Sequence, residues 1–156
     1  MMQAVIMAGG KGTRLATLTK DEIPKPMVPV AGKPLLLWQV ERLKENGITD
    51  IIMVIGHLGD KIKEYFGDGE KFGVAIRYYE ETEPLGTAGS FYYLKDMIHG
   101  ERFVMMSGDL FFDIDFQRMI HFHEEKGAVA TLFVHPNGHP FDSDLLVLDH
   151  DDKITA

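Results

Sequence analysis

The sequence contains no cysteine among its 156 residues. This absence excludes disulfide bonds and metal sites built on thiolates. Basic residues are also in the minority, because 16 lysines and arginines stand against 24 acidic residues and the formal net charge is −8. A charge of this sign offers no electrostatic surface for nucleic acid or for an anionic membrane, so neither is expected as a partner. An anionic ligand would need a local cluster of positive groups.

Long apolar runs are absent as well. The apolar stretch at 4–8 is short and has no basic flank, whereas a signal peptide or a membrane span needs a longer run. The sequence therefore predicts a cytoplasmic protein. Apolar residues make up 45% and charged residues 26%, which is typical of a folded globular chain, and the length is that of one domain.

Short apolar runs alternate with amphipathic stretches along the chain. Strands are predicted at 3–8, 50–55, 74–79, 103–107, 128–134 and 145–148. Helices are predicted at 34–46, 60–66, 87–99 and 115–126, with glycines as stop signals after several of them. This alternation indicates βαβ units, and hence an α/β fold with a mostly parallel sheet. In such a sheet a ligand binds at the carboxyl ends of the strands.

The first predicted strand runs into a glycine-rich turn, AGGKGTRL at 8–15. Glycines allow backbone N–H groups to approach an anion closely, and Lys11 and Arg14 add positive charge, so the turn is a candidate phosphate cradle. The turn matches neither the P-loop, in which lysine precedes serine or threonine directly, nor the dinucleotide fingerprint, whose third glycine is Leu15 here. A tight turn without a ligand is an equal alternative for this segment alone.

Lys25 lies between Pro24 and Pro26 in the segment IPKPMVPVAGKPLLL at 23–37. The prolines restrict the local backbone and hold the lysine ammonium in a defined place. A polyproline-type spacer is the alternative. We favour a binding role, because the segment lies between the glycine-rich turn and a predicted core helix.

Together these segments resemble the signature of the sugar-1-phosphate nucleotidyltransferases, also called nucleotide-sugar pyrophosphorylases. The signature is G-G-x-G-T-R-L, here at 9–15, followed by P-K-P, here at 24–26. PLGTAGS at 84–90 is similar to the family's nucleobase-binding loop, and SGDLFFD at 107–113 is similar to its metal-bearing element. The four matches occur in the family's order within residues 3–115.

Two stretches refine the resemblance within the family. ETEPLGTAG at 81–89 is most similar to the guanylyltransferases, and HPNGHPFDSDL at 135–145 is similar to members that act on mannose or heptose 1-phosphate. The resemblance therefore implies transfer of a nucleotidyl group from a nucleoside triphosphate, with GTP favoured, to a sugar 1-phosphate. The products are a nucleotide sugar and pyrophosphate, and Mg²⁺ is the implied cofactor.

The resemblance also implies a Rossmann-like three-layer αβα sandwich, in a single domain over residues 1–156. We expect this domain to be the N-terminal, nucleotide-binding part of the fold and to be incomplete at its C-terminus, because no closing helix follows the last predicted strand. The family's later motifs for the sugar phosphate and for a second metal aspartate are not found in the sequence. We expect a missing C-terminal segment or a partner chain in a homo-oligomer to complete the site, and an exposed sheet edge to favour self-association.

The implied chemistry needs alignment and charge neutralisation rather than a general base, because the attacking phosphate is already ionised. Arg14 is expected to grip the β- and γ-phosphates, and Lys25 to contact phosphate at the reacting centre; these are the predicted catalytic residues. Asp109 is expected to hold Mg²⁺. The residues expected to bind the nucleotide are Ala8, Gly9, Gly10, Gly12, Thr13, Leu85, Gly86, Thr87 and Gly108.

Some residues of these motifs also have an ordinary structural interpretation. Asp109 could simply cap a turn, while Asp115 is the predicted N-cap of the last helix. Thr87 could cap a helix that begins in the loop at 86–89, and this does not exclude nucleobase binding. Lys11 is equally well explained as a solvated lysine.

Two other functions fit parts of the pattern. One is a non-catalytic, regulatory relative that binds nucleotide without turnover. The other is a nucleotidyltransferase of the molybdenum-cofactor or cytidylyl type, which shares the start of the glycine-rich signature. The P-K-P segment favours the sugar-phosphate branch over the latter.

Overall fold

The computed structural model describes residues 2–10, 22–83, 86–136, 138 and 145–155, without the side chains of residues 86–88. The chain divides into two compact units, Met1–Gln117 and Arg118–Ala156. The single-domain organisation stays a prediction. The strands of the first unit are β1 (Gln3–Met7), β2 (Pro29–Val30), β3 (Lys33–Pro34), β4 (Asp50–Ile55), β5 (Ala75–Glu80) and β6 (Phe103–Ser107). The helices are α1 (Leu35–Glu45), α2 (Gly59–Phe66), α3 (Gly86–Leu94) and α4 (Phe116–Lys126), with short 3-10 helices at Lys25–Met27 and Glu70–Phe72.

Four parallel strands form the main sheet in the order β5-β4-β1-β6, and β2 and β3 form a separate antiparallel pair. The predicted α/β fold with a parallel sheet is confirmed. The chain proceeds outward from β1 through β4 to β5 and then crosses to β6 on the other side of β1. Such a reversal of strand order opens a crevice at the carboxyl ends of the strands, here between β1 and β6.

Apolar clusters cover both faces of the sheet. Ala4 and Ile6 of β1 pack in one cluster with residues of α1 and α2, while Val5 packs in the other with Leu94 of α3. Because successive side chains of a strand point to opposite faces, a strand buried on both sides must be apolar throughout. This explains why β1 and β4 appear in the sequence as continuous apolar runs.

The glycine stop signals act as predicted at two helices. After α1, Gly47 has φ +77°, its N–H bonds Lys44 O at 2.9 Å, and Ile48 N–H bonds Leu43 O at 2.9 Å. These two bonds form a Schellman motif, which needs a left-handed residue and so favours glycine. Gly127 ends α4 with the same pattern of bonds. None of the described helices is long and apolar enough to span a membrane.

The helix predicted at 87–99 ends earlier, at Leu94. The backbone beyond it is bound by tertiary contacts, because Met97 O accepts hydrogen bonds from Gln3 Nε2 and Arg77 Nη1, and His99 N–H donates to Gln3 Oε1. These contacts hold residues 97–99 against the amino ends of the strands in place of another helical turn. Asp115 directly precedes α4, at the predicted cap position.

The strand predictions at 128–134 and 145–148 are wrong. The structure has no strand at 128–134, and Leu148 forms only an isolated bridge with Ile154. A strand needs a neighbour to satisfy its backbone N–H and C=O groups, and no sheet in the described part of the chain provides one there. Val129, Phe133 and Val147 are accordingly exposed.

In the part of the chain that the structure describes, β6 is an edge strand. Phe103 and Met105 on this strand are partly exposed. The expected self-association of the chain stays a prediction.

Candidate functional site

Three turns meet at the carboxyl ends of the central strands. Ala8 and the following glycines leave β1, Gly56 leaves β4, and Gly108 leaves β6. Hydrogen bonds tie the turns together, because Ala8 N–H donates to Val54 O at 2.7 Å and Gly108 N–H donates to Met7 O at 2.8 Å. Backbone hydrogen bonds therefore hold the three turns close together at the predicted ligand-binding edge of the sheet.

Gly9 and Gly10 occupy different environments in the first of these turns. A methyl group built on Gly9 would lie 2.8 Å from Glu81 Oε2 and 3.3 Å from Gly56 N, whereas one built on Gly10 would meet nothing within 4 Å among residues 2–10 and the other described ranges. Gly56 is equally restricted, since its methyl group would lie 2.8 Å from Gly9 O. Close packing of the turns requires Gly9 and Gly56, whereas no residue in the described part of the chain crowds Gly10.

Lys25 and Asp109 meet at this edge although 84 residues separate them. Lys25 begins the 3-10 helix after Pro24, and its ammonium Nζ forms an ion pair with Asp109 Oδ2. About a third of each side chain is exposed, 29% for Lys25 and 30% for Asp109. The pair is thus partly accessible to a ligand and partly shielded from water.

The Asp109 carboxylate is held by several groups. Burial raises its pKa, but hydrogen bonds from Lys25 Nζ and Ser107 Oγ, together with the positive charge of Lys25, outweigh burial and lower the pKa below its usual value. Ser107 Oγ donates to Asp109 Oδ1 at 2.6 Å. The carboxylate is therefore ionised at neutral pH and can bind a cation.

The described residues contain no cluster of three acidic or histidine side chains that could enclose a metal ion. Asp109 supplies a single ionised carboxylate. Mg²⁺ in phosphoryl-transfer sites is commonly bound by one or two carboxylates, with substrate phosphates and waters completing its shell. The donor set at Asp109 fits an ion that arrives with a phosphate ligand.

Several predicted site residues lie outside the described residues, namely Gly12, Thr13, Arg14 and Leu85. Gly86 begins α3, and the Thr87 side chain is not described. Among the described ones, Ala8, Gly9, Gly10, Lys25, Gly108 and Asp109 all lie at the carboxyl edge of the sheet or on the segment that reaches it. Their individual roles stay predictions.

Two further residues, which were not predicted as site residues, contribute to this edge. Gln39 of α1 donates to the backbone on both sides of Asp109. Glu81 follows β5, accepts a hydrogen bond from the buried Ser90 of α3, and its carboxylate lies beside Gly9. In the sequence, the only indication of a role for Gln39 is that a polar residue occupies an inward position on the apolar face of a predicted helix.

The family profile described as "Nucleotidyl transferase" matches residues 3–155. A D-glycero-alpha-D-manno-heptose 1-phosphate guanylyltransferase of Campylobacter jejuni is 45% identical over 129 residues, which cover 83% of this chain and 57% of that protein. A UTP–glucose-1-phosphate uridylyltransferase of Synechocystis is 37% identical over 142 residues, which cover 84% of this chain and 36% of that protein. The chain thus spans between about a third and somewhat over half of these relatives' length.

A solved structure shares the fold. HddC from Yersinia pseudotuberculosis, complexed with GMP-PN, is 28% identical with a TM-score of 0.77; the match covers 100% of this chain and 68% of that one. The parallel sheet with its crossover and the arrangement of helices are therefore those of a known architecture.

Proposed function

The chain belongs to the nucleotidyl transferase family, and on that premise we propose that it transfers a nucleotidyl group from a nucleoside triphosphate to a sugar 1-phosphate. The observation that carries the proposal is the Lys25–Asp109 pair beside the glycine-rich turn, at the point where the strand order reverses. A cation and a carboxylate at this place provide one group for phosphate and one for a metal ion. The products are a nucleotide sugar and pyrophosphate.

The reaction is a displacement at the α-phosphorus. An ionised oxygen of the sugar phosphate forms the new P–O bond, and the bond to the pyrophosphate leaving group breaks. Charge accumulates on the leaving oxygens, so a fixed positive group near them lowers the barrier. We assign this role to Lys25, together with Arg14, and propose that the backbone N–H groups around Gly10 donate hydrogen bonds to phosphate oxygens.

Family members generally use a divalent metal ion, and we propose Mg²⁺ at Asp109. When bound, such an ion neutralises phosphate charge and orients the triphosphate. The low pKa of Asp109 keeps the carboxylate ionised without help from the metal. Lys25 Nζ forms an ion pair with Oδ2 of the same carboxylate. If Oδ2 is to bind the ion, this ion pair must break. We expect the Lys25 ammonium then to pair with a phosphate oxygen.

We propose GTP as the nucleotide and mannose or heptose 1-phosphate as the acceptor. The Campylobacter relative is named as a guanylyltransferase for a manno-heptose 1-phosphate, and the Yersinia structure contains GMP-PN. The Synechocystis relative is named for UTP and glucose 1-phosphate, so other bases belong in the test. A cytoplasmic location and completion of the sugar site by further chain or a second copy are parts of the same proposal.

The test is calorimetric titration of GTP, UTP, dTTP and CTP in Mg²⁺, followed by pyrophosphate release on adding sugar 1-phosphates. We expect GTP to bind, and Asp109→Asn to weaken its Mg²⁺-dependent binding by about tenfold or more.

Asp113→Asn is the matched control, because Asp113 lies in the same loop, is 84% exposed and pairs with Arg42 Nη2 at 2.6 Å. It should bind like the wild type. If no nucleoside triphosphate binds the wild-type chain, the proposed function is wrong.

A further inference from the structure

Gln39 is a polar residue in an apolar environment. It lies on α1 with only 2% of its surface exposed, between Leu36, Val40 and Leu43 on the buried face of that helix. A buried amide costs free energy unless its hydrogen bonds are satisfied, so its partners indicate what it does.

The amide nitrogen of Gln39 bridges the turn that carries Asp109. Gln39 Nε2 donates to Ser107 O at 3.0 Å and to Leu110 O at 2.6 Å, on either side of Gly108 and Asp109. The two carbonyl groups are three residues apart in the chain, so one side chain fixes the width of the turn. Gln39 Oε1 has no hydrogen-bond partner among the residues that the structure describes.

This unpaired oxygen is informative about the role of Gln39. An apolar side chain of similar length would fill the same volume without burying an unpaired acceptor. What it would not supply is the pair of donor bonds to the turn. The side chain therefore contributes more to the geometry of residues 107–110 than to filling the core.

The turn geometry reaches the carboxylate directly. Ser107 Oγ donates to Asp109 Oδ1, and Lys25 Nζ binds Oδ2, so both carboxylate oxygens depend on where the backbone places Asp109. If the turn widened, Asp109 would shift relative to the end of β1, where Met7 O accepts a hydrogen bond from Gly108 N–H.

We propose that Gln39 is a positioning residue for the metal-binding carboxylate of Asp109. The inference rests on the proposed function, because it assigns Asp109 a metal ion. Gln39 does not contact the ion; it acts through the backbone of the turn. Groups that orient a metal ligand typically change metal affinity by about 10- to 100-fold when they are removed.

The test measures Mn²⁺ binding by electron paramagnetic resonance at a fixed concentration of a non-hydrolysable GTP analogue. Gln39→Met keeps the length of the side chain and removes the donor. We expect its Mn²⁺ dissociation constant to rise about tenfold. Binding of the analogue in EDTA should stay near the wild-type value.

Gln3→Met is the matched control. Gln3 is the other buried glutamine of this unit, 1% exposed, and it donates to Asp50 Oδ2 at 2.8 Å and bonds the 97–99 segment. It lies at the amino end of β1, about 13 Å along the strand from the site. Its substitution should lower thermal stability and leave the Mn²⁺ dissociation constant unchanged.

The outcomes separate the two proposals. If wild type binds neither the analogue nor Mn²⁺ with it, the proposed function fails and the role of Gln39 fails with it. If wild type binds both and Gln39→Met binds Mn²⁺ equally well, or if Gln3→Met weakens Mn²⁺ as much, only the positioning role is wrong. Should Gln39→Met not fold, Gln39→Asn, which keeps an amide but is too short to span both carbonyls, should show the same selective loss.

Discussion

Gly9 and Gly10 are adjacent in the sequence, yet alanine at the two positions should have opposite effects. At Gly9 the new methyl group would meet Glu81 Oε2 at 2.8 Å and backbone atoms of Ile55 and Gly56 at 3.3 Å. The Glu81 carboxylate cannot move away freely, because it accepts a hydrogen bond from the buried Ser90. Either this bond breaks or the two turns separate.

The magnitude for Gly9→Ala follows from these contacts. Loss of one hydrogen bond costs about 1 kcal/mol, and overpacking of a tight site costs about 1–3 kcal/mol. We therefore expect the free energy of unfolding to fall by about 2 kcal/mol, which corresponds to a decrease in Tm of about 4–8 °C for a chain of this size.

Gly10→Ala should not destabilise the protein. None of the residues that the structure describes lies within 4 Å of the new methyl group, and Gly10 does not have a positive φ. Alanine at such a position restricts the unfolded chain and stabilises the folded state by about 0.4–1 kcal/mol. If triphosphate oxygens occupy the open space, however, the methyl group should weaken GTP binding by about tenfold, or about 1.4 kcal/mol.

Thermal unfolding gives the stability of each variant, and calorimetric titration gives its affinity for GTP. The expected pattern is a less stable Gly9→Ala and a stable Gly10→Ala that binds GTP poorly. Wild-type GTP affinity in Gly10→Ala would refute the placement of phosphate at this turn. Wild-type stability in Gly9→Ala would refute the close-packing explanation.

Other expected outcomes concern the charges and the amino end of the sheet. Lys25→Met should raise the affinity of the nucleotide-free chain for Mn²⁺, because the lysine ammonium no longer competes with the metal ion for Asp109. The same variant should release pyrophosphate more slowly. A lower Mn²⁺ affinity would contradict competition between Lys25 and the metal ion. The folded-state pKa of Asp109 is below its unfolded value, so its contribution to stability is present above the unfolded pKa, about 4, and is lost as the pH falls through the folded pKa. Asp109→Asn should therefore flatten the pH dependence of Tm below about pH 4, and an unchanged acid limb would count against this. Gln3→Met removes hydrogen-bond partners from Met97 O and neighbouring groups. It should lower the free energy of unfolding, measured by urea titration, by about 2 kcal/mol. An unchanged free energy of unfolding would mean that water replaces these hydrogen bonds. Burial and the negative charge of nearby Asp68 raise the pKa of Tyr78 to about 12, so absorbance titration should detect a tyrosine that ionises well above the ordinary tyrosine pKa of about 10, and the absence of such a group would contradict the burial.

The main elements of the first unit could be predicted because their signals are local. The apolar runs at 3–8, 50–55 and 103–107 became β1, β4 and β6, and Gly47 ended α1 as expected. Strand character and helix stops depend on neighbouring residues, so periodicity is enough to find them. The strand predictions at 128–134 and 145–148 were wrong because strand formation also depends on distant parts of the chain. Apolar and β-branched residues do not form a strand without a neighbouring strand to pair with.

The order of the motifs along the chain supported a phosphate site but did not say which side chains meet. Lys25 and Asp109 come together because the strand order reverses between β1 and β6, which places the turn after β6 beside the segment that follows β1. Gln39 acts on this turn only because α1 packs under it, and its role had no motif to reveal it.

By itself, the sequence determined the α/β class, the positions of most helices and strands, the family signature and the formal net charge of −8. Only the tertiary structure decided which glycine is needed for packing, which one faces open space, where the helix after residue 86 stops and which buried amide holds the turn of Asp109. The physical reason is the distance along the chain over which each interaction acts. Propensity and periodicity act within a few residues of the chain, whereas close approach of two backbones and hydrogen bonds across tens of residues exist only once the sheet has formed.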